Sequence, residues 1–213
     1  MLKSLKKYAF VYAIALAIVL FALLYSSFHD DISYVNMFRD PIAILDGYPL
    51  IGFMSNIGTL AWTIASTVAL FCYFFLRKNG YSSPGINFLK WMGLLTLVLL
   101  VDDLFLLHEP MNTPLPGIPE EVWYLGYLVG LGLIFYCFRK LIFSQKPVLL
   151  FFALFLFGLS IVTDALLSHI YLFEVLEDIF KYFGIVSWSI FLVDFSLSEF
   201  QKFVDRTSSI QDS

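Results

Sequence analysis

Six apolar runs dominate this chain, each near the ~20 residues an α-helix needs to cross the hydrocarbon core of a bilayer. They are Tyr8–Phe28, Leu50–Leu76, Phe88–Leu107, Val122–Phe138, Val148–His169 and Leu172–Leu197. A soluble globule of 213 residues has too much surface to hide a chain that is 60% hydrophobic and 14% charged. The same figures exclude a disordered chain, a collagen and an ordinary soluble enzyme. The net charge of −4 offers no basic surface, so no nucleic-acid partner is expected. The fold class expected is an all-α, polytopic membrane helix bundle with six transmembrane helices. Residues 1–197 should form a single transmembrane domain and residues 198–213 a short polar tail.

Lysine and arginine set the orientation, because positive loops stay cytoplasmic. Lys3, Lys6, Lys7, Arg77, Lys78, Lys90, Arg139, Lys140, Lys146, Lys202 and Arg206 would share one side of a six-span bundle. Arg39 and Lys181 are the exceptions. Both termini and the tail are therefore expected in the cytoplasm, and the bacterial inner membrane is the expected location. Membrane lipids and other membrane-protein subunits are the expected partners. The first run exceeds a usual signal-peptide core and no A-x-A site follows it, so it is expected to remain as a helix. Cys72 and Cys137 fall inside apolar runs and read as small buried hydrophobes.

Ionisable groups are expensive inside a bilayer, so their placement points to function. Thirteen of the seventeen acids and all three histidines fall at or beyond the outer ends of the runs. Asp102 and Asp103 lie about 8 Å inside the outer boundary, Asp164 about 5 Å and Lys181 about 10 Å, at 1.5 Å per residue. Ionised carboxylates in such a layer must be protonated, reach water or meet a cation. Glu120 and Glu121 follow Pro119 and read as ordinary acids at a helix start. Glu174, Glu177, Asp178 and Lys181 follow i, i+3, i+4, i+7 spacing, so an internal ion pair to Lys181 is the simplest expectation. The third and fifth runs go outward, and the dipole at their ends disfavours acids. Helix capping therefore does not account for Asp102, Asp103, Glu109 or Asp164.

The third and fifth runs share Val-x-Asp-x-x-Leu-x-His, ending at His108 and His169. Five residues is about 140° on a helix, so each histidine meets its aspartate only if the helix stops first. Histidine with carboxylate suits a divalent metal such as Zn, Mn or Fe. Asp103, His108, Asp164 and His169 are the expected ligands. Glu109 or Glu177 would be the catalytic general base, and Asp102, Asp178 and Lys181 would complete the polar cluster. No H-E-x-x-H, D-D-x-x-D or G-x-S-x-G motif occurs. The inventory has the character of the alkaline ceramidase and adiponectin-receptor hydrolases, but it lacks their late histidine pair. The leading functional expectation is a metal-dependent hydrolase of a membrane-embedded substrate. A proton or cation transporter using the same carboxylates and a non-catalytic subunit are the alternatives.

Overall fold

A computed structural model describes residues 2–28, 33–39, 41–48, 50–108, 118–144, 147–167 and 171–211. No strand occurs among them. The helices are α1 (Leu2–Phe28), α2 (Tyr34–Phe38), α3 (Pro41–Ile44), α4 (Phe53–Lys78), α5 (Pro84–Phe105), α6 (Glu120–Ser144), α7 (Val148–Leu167) and α8 (Tyr171–Gln211). Most of each of the six apolar runs lies in a helix, in α1, α4, α5, α6, α7 and α8 in chain order. Three helical segments are long and apolar enough to cross a membrane: Phe53–Lys78, Glu120–Ser144 and Val175–Ser209. Tyr12–Phe28 and Val148–Asp164 are shorter apolar stretches.

The chain divides into two compact units, Met1–Gly52 and Phe53–Ser213. In the first, α2 starts where the Ser33 hydroxyl accepts the Asn36 N–H at 3.3 Å. The second unit holds α4 to α8. Its helix ends follow from local chemistry. α4 stops where Gly80 takes φ +77° and the Tyr81 N–H returns to the Leu76 carbonyl at 3.0 Å. Arg77 and Lys78 favour the negative end of that helix. Ser83 caps α5 by accepting from the Ile86 N–H at 3.1 Å, with Pro84 in the first turn.

α8 packs against α7 and α4, α4 also packs against α5, and α5 reaches α6 and α8. At the centre Trp188 donates its indole N–H to Thr96 Oγ1 at 2.9 Å. Thr96 in turn donates to the Met92 carbonyl at 2.7 Å. Trp62 stacks on Phe157 and meets Trp188 edge-on, both at 5.9 Å between ring centroids. Gly184 lets α7 approach α8, since a Cβ there would stand 2.7 Å from the Phe157 ring. Cys72 is buried as expected, but Cys137 is exposed, because α6 packs only against its neighbours on one side.

α8 has 41 residues, about 60 Å of helix and twice the hydrocarbon thickness. It continues through residues expected as a polar tail. Nothing after Gly184 breaks it, and Glu199–Lys202 and Gln201–Asp205 pair along its surface.

Candidate functional site

The last turn of α5 carries two adjacent acids, and side chains one residue apart on a helix point in different directions. Asp102 is 5% and Asp103 8% exposed. α5 ends at Phe105, and Leu106 takes a left-handed conformation, φ 49° and ψ 46°. That residue reverses the chain. His108 then turns back so that its backbone N–H donates to Asp102 Oδ1 at 3.0 Å and its ring Nδ1 meets Oδ2 at 2.8 Å. The carboxylate can only accept, so Nδ1 carries the proton and Nε2 is left for other chemistry. The Asp102 hydrogen bond raises the His108 pKa above its ordinary value, and burial opposes it.

Asp103 points the other way. Its Oδ1 takes the Lys181 ammonium at 2.6 Å, which ties α5 to α8. The expected pairing of Lys181 within α8 is thus replaced by a pairing between helices. Lys181 still feels Glu177 and Asp178 one turn earlier. The Lys181 ammonium and the His108 Nδ1–H give Asp103 and Asp102 partners at a helix C-terminus, where the dipole works against them.

The other acids gather around the same point. Glu177 interacts with Asp164 of α7, with Asp178 and with Glu120 of α6. The Glu120 carboxylate accepts from the Tyr124 hydroxyl at 2.5 Å, and the Tyr124 ring lies 5.9 Å from the His108 ring. The Tyr127 hydroxyl is buried, faces the Asp102 carboxylate and closes no hydrogen bond within 3.5 Å. The Trp123 indole nitrogen is likewise buried and unpartnered among the described residues. Asp102, Asp103, His108, Glu120, Asp164, Glu177, Asp178 and Lys181 therefore form one electrostatic cluster at one end of α5 to α8. Six carboxylates meet one lysine and one histidine, a surplus of four negative charges when all are ionised.

The residues expected as metal ligands are divided between partners. Asp103 holds Lys181, and His108 holds Asp102 through Nδ1. Among the described residues no three His, Cys, Asp or Glu side chains converge in metal-binding geometry. His169 and Glu109, expected as ligand and base, lie outside the described residues, as does His29. Asp164 and Glu177 have no ion-pair partner among the described residues.

Sequence reasoning set Glu120 aside as a helix opener and did not single out Trp123, Tyr124 or Tyr127. The i, i+4 spacing of Glu120 and Tyr124 was the available signal. It also passed over Glu199, which is 1% exposed at the far end of α8. There the Ser83 hydroxyl donates to Glu199 at 2.6 Å and Lys202 pairs with it at 2.5 Å. A Cβ on Gly85 would stand 2.3 Å from this carboxylate, so only glycine admits it.

No curated protein and no solved structure matches the chain. A family described as a domain of unknown function, DUF8692, matches residues 11–195, which include the polar cluster and reach into all six apolar runs. The chain belongs to that family.

Proposed function

We propose that the protein crosses the membrane six times with both termini in the cytoplasm, in a bacterial inner membrane, and that its polar cluster is an outward-facing acid–base site. The reaction proposed is hydrolysis of an ester or amide in a membrane-embedded substrate. The observation that carries the reading is the Asp102–His108 pair, oriented through Nδ1 and set beside Asp164 and Glu177, which have no ion-pair partner among the described residues. In the proposed step His108 Nε2 takes a proton from water as the oxygen attacks the carbonyl carbon. Asp102 stabilises the imidazolium, as an orienting carboxylate does in hydrolytic triads. Lys181, held by Asp103, offsets the charge developing on the carbonyl oxygen. Glu177, crowded by Asp164 and Asp178, starts this step protonated and gives its proton to the leaving group as the C–O or C–N bond breaks; the proton held by His108 then passes to Glu177 and restores both groups.

The surplus of carboxylates would also attract a divalent cation. Asp164 and Glu177, which have no ion-pair partner among the described residues, would be the groups to take Zn, Mn or Fe, with His108 Nε2 as a further donor. Transport through these carboxylates is the weaker reading, because Trp62, Thr96 and Trp188 fill the core and are at most 4% exposed. A non-catalytic subunit is favoured by one observation: only 11% of the apolar window of α6 is buried, which leaves a face for another helix.

The test is release of product from ester- and amide-linked lipids in proteoliposomes, with metal content measured on the same sample. Turnover lost in His108→Gln and Asp102→Asn but kept in Asp46→Asn supports the site. Full complementation of a deletion strain by His108→Gln would refute it. A stoichiometric larger partner in place of turnover would establish the subunit reading.

A further inference from the structure

α6 carries its functional groups at both ends. Glu120 and Tyr124 belong to the acid–base cluster, and nineteen residues later come Arg139 and Lys140. Nineteen residues of helix is about 28 Å, close to the ~30 Å hydrocarbon thickness. When Glu120 sits at one interface, Arg139 and Lys140 sit at headgroup level on the other.

A cavity of about 510 Å³, open on one side, lies there between the C-terminal part of α6 and Pro84 at the start of α5. Arg139 and Lys140 line it, and no carboxylate does. Both cations are exposed. The Arg139 guanidinium rests 4.8 Å over the Tyr136 ring, which orients its N–H groups and lowers the entropy lost on binding an anion. The remaining wall is apolar, with Phe138 and Leu141, and Phe138 packs edge-on against Phe88 of α5. Glu199, the buried acid beside Ser83 and Gly85, is occupied by Ser83 and Lys202. Two cations with no ion-pair partner among the described residues, beside an apolar wall at headgroup depth, match a phosphate joined to acyl chains.

We propose that this groove binds one anionic phospholipid, with Arg139 and Lys140 on its phosphate and Tyr136, Phe138 and Leu141 against its chains. The site is independent of the acid–base cluster, and neither requires the other.

The test is native mass spectrometry of protein released from nanodiscs of phosphatidylcholine doped with phosphatidylglycerol. The wild-type protein should retain phosphatidylglycerol in preference to phosphatidylcholine. Arg139→Gln/Lys140→Gln should weaken that retention roughly thirtyfold, the loss expected for two phosphate-facing cations. Lys78→Gln/Arg206→Gln, which removes two exposed cations elsewhere, should leave it unchanged. Undiminished retention in the first variant overturns the proposal. So does an equal loss in the second, which would mean a diffuse charge effect. Displacement of the lipid by inorganic phosphate would overturn it in favour of a free-anion site.

Discussion

His108 meets Asp102 because of one backbone residue. Leu106 in the left-handed region ends α5 and lets the imidazole fold back over the last turn. A histidine this close in sequence can turn back to its aspartate only where the helix stops, and that condition holds here. Its partner is Asp102, six residues away, because Asp103 faces α8. The Asp102 carboxylate favours the imidazolium, so the His108 pKa lies above the ordinary ~6.5. Two consequences follow with definite sign. The stabilising contribution of the pair is fully present below pH ~6.5 and is lost as pH rises through the raised value. Any activity that uses neutral His108 as base should instead appear as pH rises through that same value. Asp102→Asn should shift the rising limb of a pH–rate profile downward and lower its plateau. A limb that stays in place would remove His108 from the mechanism.

Lys181 is 37% exposed and Asp103 8%, so their bond is only partly desolvated. Lys181→Met strands a buried carboxylate and should cost roughly 2–3 kcal/mol, less than for a fully buried pair. Asp103→Leu/Lys181→Met should recover most of that loss. Denaturation of the four proteins in one detergent measures the coupling, and strict additivity would show that the pair contributes nothing.

Elements meet at two ends of the bundle by different means. At the polar cluster α5 and α8 are joined by an ion pair. At the other end the Glu199 carboxylate of α8 seats on the start of α5, beside Gly85 and Ser83. Its negative charge is well placed there, because the helix N-terminus is positive. Gly85→Ala must expel this carboxylate and should destabilise the protein by about 1–3 kcal/mol. Alanine is otherwise the better helix former, so a stabilised variant would show that Glu199 does not depend on the close approach. Thermal unfolding of the variant, alone and with Glu199→Ala, decides it, since the two substitutions should not add. None of this was legible in the sequence. Glu199 lies in a polar stretch with ordinary i, i+3 spacing to Lys202, and its partner Ser83 is more than a hundred positions away.

For the whole molecule, the apolar runs point to a helical membrane protein; most of each run lies in a helix, and three helices are long and apolar enough to cross a membrane. The distribution of lysine and arginine then predicts sidedness. In a variant with Cys72 and Cys137 replaced by alanine, Glu121→Cys should react with an impermeant thiol reagent in intact cells. Ser82→Cys and Arg206→Cys should react only after lysis. The reverse pattern, or labelling of Ser82→Cys and Arg206→Cys on different sides, would overturn the six-span topology.

Helices, an apolar solvent and acids segregated toward one end are legible along the chain, because burial of apolar surface and exclusion of charge act on local sequence. The sequence also shows that too many carboxylates share one layer. Which acid meets which cation is a matter of packing between helices. Side-chain pairing depends on how α5, α6, α7 and α8 are rotated and how α5 ends, and local spacing does not encode those rotations. Packing therefore sent Asp103 to Lys181, returned His108 to Asp102, and brought Glu120, Asp164 and Glu177 from three other helices into the same cluster.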